Sequence, residues 1–534
     1  MPYQDLHAHV AVLERNGLLH RIGRLVDKNT EIHPLVRLQF RGLEESERKA
    51  FLFENPTDCR STKYPFPVLV GGLAPSQEIY AIGMQCRVEE IGAKWMQAMD
   101  RPVTPVQVEQ ARCQEVVHSV DPAAMPGTGL DLFPIPISTP GWDPAPFLTC
   151  AHWVSHDPVS GVRNVGNYRG HVKAPNRVGL TLLTPTQGIG AHWQAARKLG
   201  KPLDVAIVVG APPVVTYAAA SKVPPGVDEF AVAGSIAGEP IPVVRCKTID
   251  VLVPADAEIV IEGRISVEMM EPEGPFGEFI GYVQPAKYAR IMDIHCITHR
   301  KDAIFTSLVS QIAPSESSVM RRLGAEALFL RNLRGSMGIH SLSRVHLYEP
   351  LLSVRKLAVL QFNSPHSDQV RRALVAASSL VAGGAKIVVA VDQDIDPADL
   401  TNVMWAVGTR CKPHEDVTVI PGFRQGFFPP FDDFDENGFV SHEDAPNDSV
   451  MLIDATMKGP FPPVSLPKKE YMDRALGLWK ELGLPELRLR SPWYGVSLGQ
   501  WSEALDRAAE AATRGDYRTQ GDKLKAMRKP IAGI

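Results

Sequence analysis

The sequence lacks several features that would assign it to a class at once. Its seven cysteines (59, 86, 113, 150, 246, 296 and 411) are odd in number and never form a Cys-x-x-Cys pair. That excludes a zinc ribbon and a disulfide framework, and predicts free thiols in a reducing compartment. Neither sign of charge dominates: 56 Lys+Arg stand against 60 Asp+Glu, a net charge of −4. The concentrated basic surface that grips a phosphate backbone is therefore missing. No apolar run spans a bilayer, because the most apolar later stretch, 373 to 391, is broken by Ser378, Gly383, Gly384 and Lys386. Internal repeats and low-complexity segments are also missing. The opening residues, Met1-Pro2-Tyr3-Gln4-Asp5, carry no basic stretch or apolar run of a secretory signal. A cytoplasmic protein with no nucleic-acid or membrane partner is expected.

What is present is ordinary globular material: 534 residues, 44% hydrophobic and 22% charged, with 45 Pro and 42 Gly. That length suits roughly two to four domains. Near the start, Leu6, Val10 and Leu13 share a helical face over residues 3–16, with Gly17 as the C-terminal cap. Between about 116 and 310 the texture becomes short Val/Ile/Thr runs punctuated by Pro and Gly. The runs at 204–209, 250–253, 258–262, 291–298 and 303–309 predict the strands of a β-rich core. A helix at 316–333 follows. Strands at 357–361, 387–391 and 417–420 then alternate with helices at 369–381 and after Asp396-Pro397-Ala398-Asp399. Alternation of this kind predicts a parallel α/β unit. Residues 421–447 read as a long loop or lid, and 500–514 as an amphipathic helix.

Several tempting motifs fail on chemistry. Gly495-Val496-Ser497-Leu498-Gly499 fits a nucleophile elbow, but no His follows Ser497 as that fold requires, so a turn before the last helix is expected. The acidic segment 433–444 spaces its oxygens like a calcium loop. Its twelfth position is Asp444 rather than Glu, and Pro429, Pro430 and Pro446 interrupt the flanking helices, so a solvated acidic loop is the better reading. His152 and His156 lack the intervening Glu of a zincin. His295 and His299 lie on a strand-like segment, about 13 Å apart along one face, too far for one metal. Gly188-Ile189-Gly190-Ala191-His192-Trp193 lacks the third glycine of a dinucleotide loop.

Two segments concentrate functional side chains in apolar surroundings: Asn164-Val165-Gly166-Asn167-Tyr168-Arg169 and Glu271-Pro272-Glu273-Gly274-Pro275-Phe276-Gly277-Glu278. Gly274, Pro275 and Gly277 permit a tight path that exposes backbone to a ligand. An Arg beside two carboxylates makes a proton-transfer site, the cation holding one acid ionised while burial readies the other to deliver a proton. A loop salt bridge is the alternative reading of the same residues.

These segments, with their neighbours, resemble the UbiD family of prenylated-flavin-dependent (de)carboxylases from about residue 110 to 460. The matching stretches include Leu130-Asp131-Leu132-Phe133-Pro134-Ile135-Pro136, Gly210-Ala211-Pro212-Pro213, Asp228-Glu229-Phe230 and Val253-Pro254-Ala255. Lys386 before Asp392-Gln393-Asp394-Ile395-Asp396, and Ile453-Asp454-Ala455-Thr456, extend the match. The resemblance implies a mixed α/β (α+β) fold: an N-terminal α/β region (1–115), a split β-barrel binding prenylated FMN (116–315), a C-terminal α/β oligomerisation domain (316–475) and a helical tail (476–534). It implies a non-oxidative decarboxylase of an aromatic or α,β-unsaturated acid, working through a covalent flavin–substrate adduct. Carboxylation, action on phenols or aryl thioesters, or a non-catalytic subunit of a larger complex are the alternatives. By resemblance the catalytic residues are Arg169, Glu273 and Glu278, with Glu278 the acid that protonates carbon once carbon dioxide has left. Asn164 and Glu229 would hold a divalent metal, manganese above all, against the flavin phosphate. Ser221 would line a potassium site and Lys386 would contact phosphate. The family's third metal ligand is a His where this chain has Gln187 or Gly188, leaving Gln187, His192 or a water to complete the shell. A flavin prenyltransferase would supply the cofactor, and the chain would form a homo-oligomer, a dimer or hexamer. The ring-bearing Phe427, Phe428 and Phe431 would wall or cover an aromatic substrate, or simply pack the loop.

Overall fold

A nine-stranded, wholly antiparallel sheet forms the centre of the computed structural model, which describes residues 5–123, 125–182, 188–221, 223, 226–279, 281–348, 357–380, 385–424 and 447–530. Its long members, Ile259–Glu273 and Lys287–His299, pair with each other. Leu203–Val209, Ala151–His156 and Arg163–Asn167 follow on one side, Arg177–Leu180, Gly170–Ala174 and Phe147–Leu148 on the other, and Val116–Ser119 joins the edge of Lys287–His299. The strand Leu203–Val209 shows why the sheet is central. Val205, Ile207 and Val209 pack into one apolar cluster with Trp153 and Ile261, whereas Ala206 and Val208 pack into another with Val154 and Val260. Alternate side chains face opposite ways, so a strand buried on both faces reads as a continuous apolar run. The second cluster is closed by helices Ile91–Asp100, Pro213–Ala220, Glu229–Ala237 and Glu316–Arg331.

A four-stranded N-terminal sheet runs Leu19–Asp27, Ala50–Thr57, Val68–Val70 and Phe305–Ser307. The last strand was expected in the β-rich core; it instead pairs in parallel with Val68–Val70. Helix Leu6–Arg15 buries Leu6, Val10 and Leu13 and ends at Gly17, whose φ of +68° suits glycine. Glu316, fully buried at the start of Glu316–Arg331, accepts N–H groups from Gly71 (3.0 Å), Leu73 (2.8 Å) and Ala74 (3.3 Å). That single carboxylate fastens the N-terminal loop to the helix leading into the C-terminal sheet.

The C-terminal five-stranded sheet has the order Leu342–Tyr348, Leu357–Phe362, Ile387–Asp392, Asn447–Asp454, Val417–Arg424. A parallel unit was expected, but only the inner pairings are parallel; both edges are antiparallel. The helix expected from 396 begins instead at Leu400, with Asp399 capping the N–H groups of Thr401 and Asn402. The tail carries helices Lys469–Glu481, Glu503–Thr513 and Arg518–Ala526, so the 495–499 turn precedes the penultimate helix. The lid phenylalanines and the acidic 433–444 segment lie outside the described residues. Among those described, no helix is long and apolar enough to cross a membrane.

Candidate functional site

Arg169 occupies the turn between strands Arg163–Asn167 and Gly170–Ala174. From there its guanidinium reaches both acids of the second segment. Nε donates to Glu273 Oε1 at 2.8 Å and Nη2 to Glu273 Oε2 at 2.7 Å, a bidentate fork. Nη1 donates to Glu278 Oε1 and, at 3.2 Å, to Gln284 Oε1. Glu273 ends the long strand, fully buried, and also accepts from Thr181 Oγ1 at 2.6 Å. Burial opposes its charge, yet Arg169, Thr181 and Lys287 hold it below the usual carboxylate range. Burial likewise opposes the charge of Arg169, but its two carboxylates hold the guanidinium charged beyond its ordinary range. An ion triad this well shielded depends on the matching of its charges, since any one left alone is costly.

The chain between the two acids turns at Gly274, whose φ of +98° a side chain rarely adopts. Its N–H donates to His171 Nδ1 at 3.2 Å, and burial pushes His171 down to about 4, leaving it neutral. Asp143, itself buried, accepts from Gly277 N at 3.0 Å and Thr139 N at 2.6 Å, pinning the segment next to Glu278. Burial pushes Asp143 up to about 6, against those hydrogen bonds and the pull of Arg169. Phe276 packs beneath Arg169, the guanidinium 4.7 Å from the ring centroid, and Phe279 lies 4.6 Å from Arg321. Two arginine–aromatic stacks thus flank Glu278.

A second cluster lies five residues back from Arg169, on strand Arg163–Asn167. Asn164 shares a hydrogen bond with the Tyr168 hydroxyl, while its Nδ2 is buried with no partner among the described residues. The neighbouring Val165 N–H donates to Glu229 Oε2 at 3.1 Å. Burial raises the Glu229 carboxyl to about 7, against its backbone hydrogen bonds. The Asn164 amide oxygen and the Glu229 carboxylate, whose charge Arg163 supports against burial, are oxygen donors of the kind a divalent cation takes. Gly188 lies against it with φ +52°, and a Cβ there would stand 2.6 Å from Asn164 Oδ1. Among the described residues, no three His, Cys, Asp or Glu side chains converge as a metal cage.

The remaining expected residues fall apart. His192 is buried, and its Nδ1 bonds Ser155 Oγ at 2.9 Å, where Ser155 stands opposite Asn164 in the sheet register. Gln187 lies outside the described residues. Ser221 closes helix Pro213–Ala220 and donates to the Tyr217 carbonyl at 2.8 Å. Lys386 pairs with Asp448 at 2.7 Å on the C-terminal sheet, and among the described residues no hydrogen bond or ion pair joins it to either cluster. Conversely, Thr181, Gln284, Asp143 and Lys287 escaped sequence reading. Lys287 left no signal in the sequence; only the antiparallel register of the two long strands sets it opposite Glu273.

Comparison with known proteins gives a consistent result. Three family models match in succession: the N-terminal domain (residues 10–99), the Rift-related domain (104–312) and the C-terminal domain (318–433) of UbiD, 3-octaprenyl-4-hydroxybenzoate carboxy-lyase. The UbiD-class enzyme HmfF from Pelotomaculum thermopropionicum, solved in complex with FMN, is 30% identical, with 88% of this chain and 99% of that one covered and a TM-score of 0.74. Vanillic acid decarboxylase of Sedimentibacter hydroxybenzoicus, in its closed form, is 25% identical over 90% of this chain and 99% of its own, with a TM-score of 0.75. A protein of Archaeoglobus fulgidus is 29% identical over 489 residues, 86% of this chain and 92% of its own.

Proposed function

The chain belongs to the UbiD family, and from that premise we propose a prenylated-FMN-dependent, non-oxidative decarboxylase of an aromatic or α,β-unsaturated carboxylic acid. The observation that carries this reading is the buried triad in which one guanidinium holds Glu273 and Glu278 together, with the Asn164–Glu229 cluster on the strand that leads to Arg169. Asn164 and Glu229 would hold a divalent cation, manganese by its taste for oxygen ligands, and through it the flavin phosphate. Potassium beside Ser221 belongs to the same reading. The prenylated flavin, when bound, supplies an electron sink for the pair left on carbon when the bond to the carboxylate breaks.

The protein's own contribution follows from the geometry. Arg169, its fork already taken by Glu273, orients the substrate's acid group through its positive charge. Glu273, fixed by two bonds to Arg169 and one to Thr181, keeps that fork charged and aimed. Glu278, held by Arg169 through one oxygen, delivers the proton to carbon after carbon dioxide departs. The burial of both carboxylates keeps bulk water from that proton transfer. Run backwards, the same groups would carboxylate. HmfF is recorded in an evolved dimeric form, which supports a homo-oligomer as the working state, whereas the vanillic acid decarboxylase is recorded with a second, different subunit.

The test co-expresses the protein with a flavin prenyltransferase, identifies the released cofactor by mass spectrometry, and screens aromatic and unsaturated acids for loss of carbon dioxide. Glu278→Gln should retain the flavin and lose carbon dioxide release. Well-metallated protein carrying no prenylated FMN, or undiminished turnover in that variant, would refute the reading.

A further inference from the structure

His295 lies too far along its strand to share an ion with His299, but a second histidine faces His299 from the neighbouring strand. Val116–Ser119 pairs antiparallel with the end of Lys287–His299, setting His118 opposite Ile297 and Val116 opposite His299. His118 and His299 are therefore diagonal neighbours on one face, about 7–8 Å apart along the backbone and within reach of two rings. The rings meet nitrogen to nitrogen. Nε2 of one lies 3.0 Å from Nε2 of the other, and the planes are within 13° of parallel. His299 is buried, and its ring is fixed on every side. Its Nδ1 stands 2.6 Å from the Arg300 carbonyl, which can only accept. Nδ1 therefore carries the hydrogen, and burial holds His299 below the ordinary histidine range, so Nε2 presents a lone pair to His118. Phe66 and Phe133 meet the same ring at 81° and 85°, with centroids 5.1 and 5.6 Å away.

A lone pair aimed by a carbonyl on the far side of the ring is the usual posture of a metal-ligating histidine. We infer that His118 and His299 form a second metal site, which takes a late first-row ion, copper(II) or nickel(II), through two imidazole nitrogens. With metal–nitrogen bonds of about 2.0–2.1 Å, nitrogens 3.0 Å apart subtend about 95° at the ion. That is the cis angle of a square-planar or octahedral centre, whereas tetrahedral zinc needs them about 3.3–3.4 Å apart. In the hydrogen-bonded pair His118 is the donor. A tilt of its half-buried ring converges both lone pairs on one ion, Nε2 giving up its proton to water and Nδ1 taking one back. Among the described residues no third His, Cys, Asp or Glu side chain closes on the pair, so water fills the other positions. Negative charge reaches His299 from Glu115, whose carboxylate accepts the Lys301 N–H at 2.9 Å. Asn164 and Glu229 offer oxygen to a harder ion, so the two sites sort metals by donor type. The ion would clip the first strand of the central sheet to the last, from which the chain leaves for Phe305–Ser307.

Full-length protein stripped of metal tests this by calorimetric titration with nickel(II) and by pulsed electron paramagnetic resonance with one equivalent of copper(II). The wild type should bind one nickel ion that a large excess of manganese(II) does not displace. Its copper spectrum should show two coupled imidazoles. His118→Ala, at a half-buried position, should fold as the wild type does and weaken that nickel ion at least tenfold. Nickel should raise the melting temperature of the wild type and leave that of His118→Ala in place, because the ion ties two strands together. Glu229→Ala should keep the nickel ion, which separates this site from the one proposed beside the flavin and makes the result independent of decarboxylation. Nickel binding of equal strength in His118→Ala, or a copper spectrum without paired imidazoles, would leave two hydrogen-bonded histidines only and overturn the site.

Discussion

Arg169 holds Glu273 with two parallel hydrogen bonds and Glu278 with one, so a single guanidinium couples an anchored acid to a less constrained one. The asymmetry suits a division of labour between a carboxylate that stays ionised and one that exchanges its proton.

Replacing Arg169 by Lys should therefore be far from conservative. An ammonium cannot satisfy the fork and the third bond together. Turnover, measured as carbon dioxide released by flavin-loaded enzyme, should fall by about a hundredfold or more. Thermal unfolding should show a loss of roughly 3–5 kcal/mol, as expected for a broken buried pair.

Asp143 predicts an acid limb. Burial pushes its carboxyl up to about 6, so it is ionised above that pH and accepts both the Gly277 and Thr139 N–H groups. Protonation below pH 6 sacrifices one of those bonds and frees the segment beside Glu278. Activity should fall with a midpoint near pH 6, and Asp143→Asn should show a lower, flatter profile through that range. A limb that persists unchanged in the variant would assign it elsewhere.

Glu229→Ala should lose the bound divalent cation, read by elemental analysis, while folding normally. The N–H of the buried Val165 would lose its carboxylate acceptor, at a cost of about 1–3 kcal/mol. Flavin retention should fall with the metal.

Glu316 makes a stability prediction of definite sign. Burial raises it to about 7, above its unfolded value near 4.5, so the native state holds the proton more tightly than the unfolded chain. Stability from this group is greatest below pH 4.5 and declines by roughly 3 kcal/mol as pH rises through 7. Glu316→Gln should flatten that slope in unfolding experiments at pH 5 and pH 8.

Much of this molecule was legible in the sequence where the signal is local. The run at 204–209 and the helix at 316–333 announced themselves by period, and Gly274, Pro275 and Gly277 marked a constrained path between two acids. What escaped is pairing over long separations. Nothing near residues 305–307 says that they leave the central sheet for the N-terminal one. The antiparallel edges of the C-terminal sheet were likewise hidden, since alternating strands and helices do not fix the direction of an edge strand. Lys287 reads as an unremarkable strand residue until register sets it against Glu273. Asp143 sits in a Pro-rich loop whose path only the hydrogen bonds to Gly277 and Thr139 explain.

The placement of Phe305–Ser307 beside Val68–Val70 bears on how the chain is made. A ribosome delivers three strands of the N-terminal sheet early and its fourth only after the whole central sheet has emerged. Until then Val68–Val70 offers an open edge, the kind of surface that recruits stray strands. A fragment cut near residue 115 would carry that open edge permanently and should aggregate, whereas one extending through helix Glu316–Arg331 would close it.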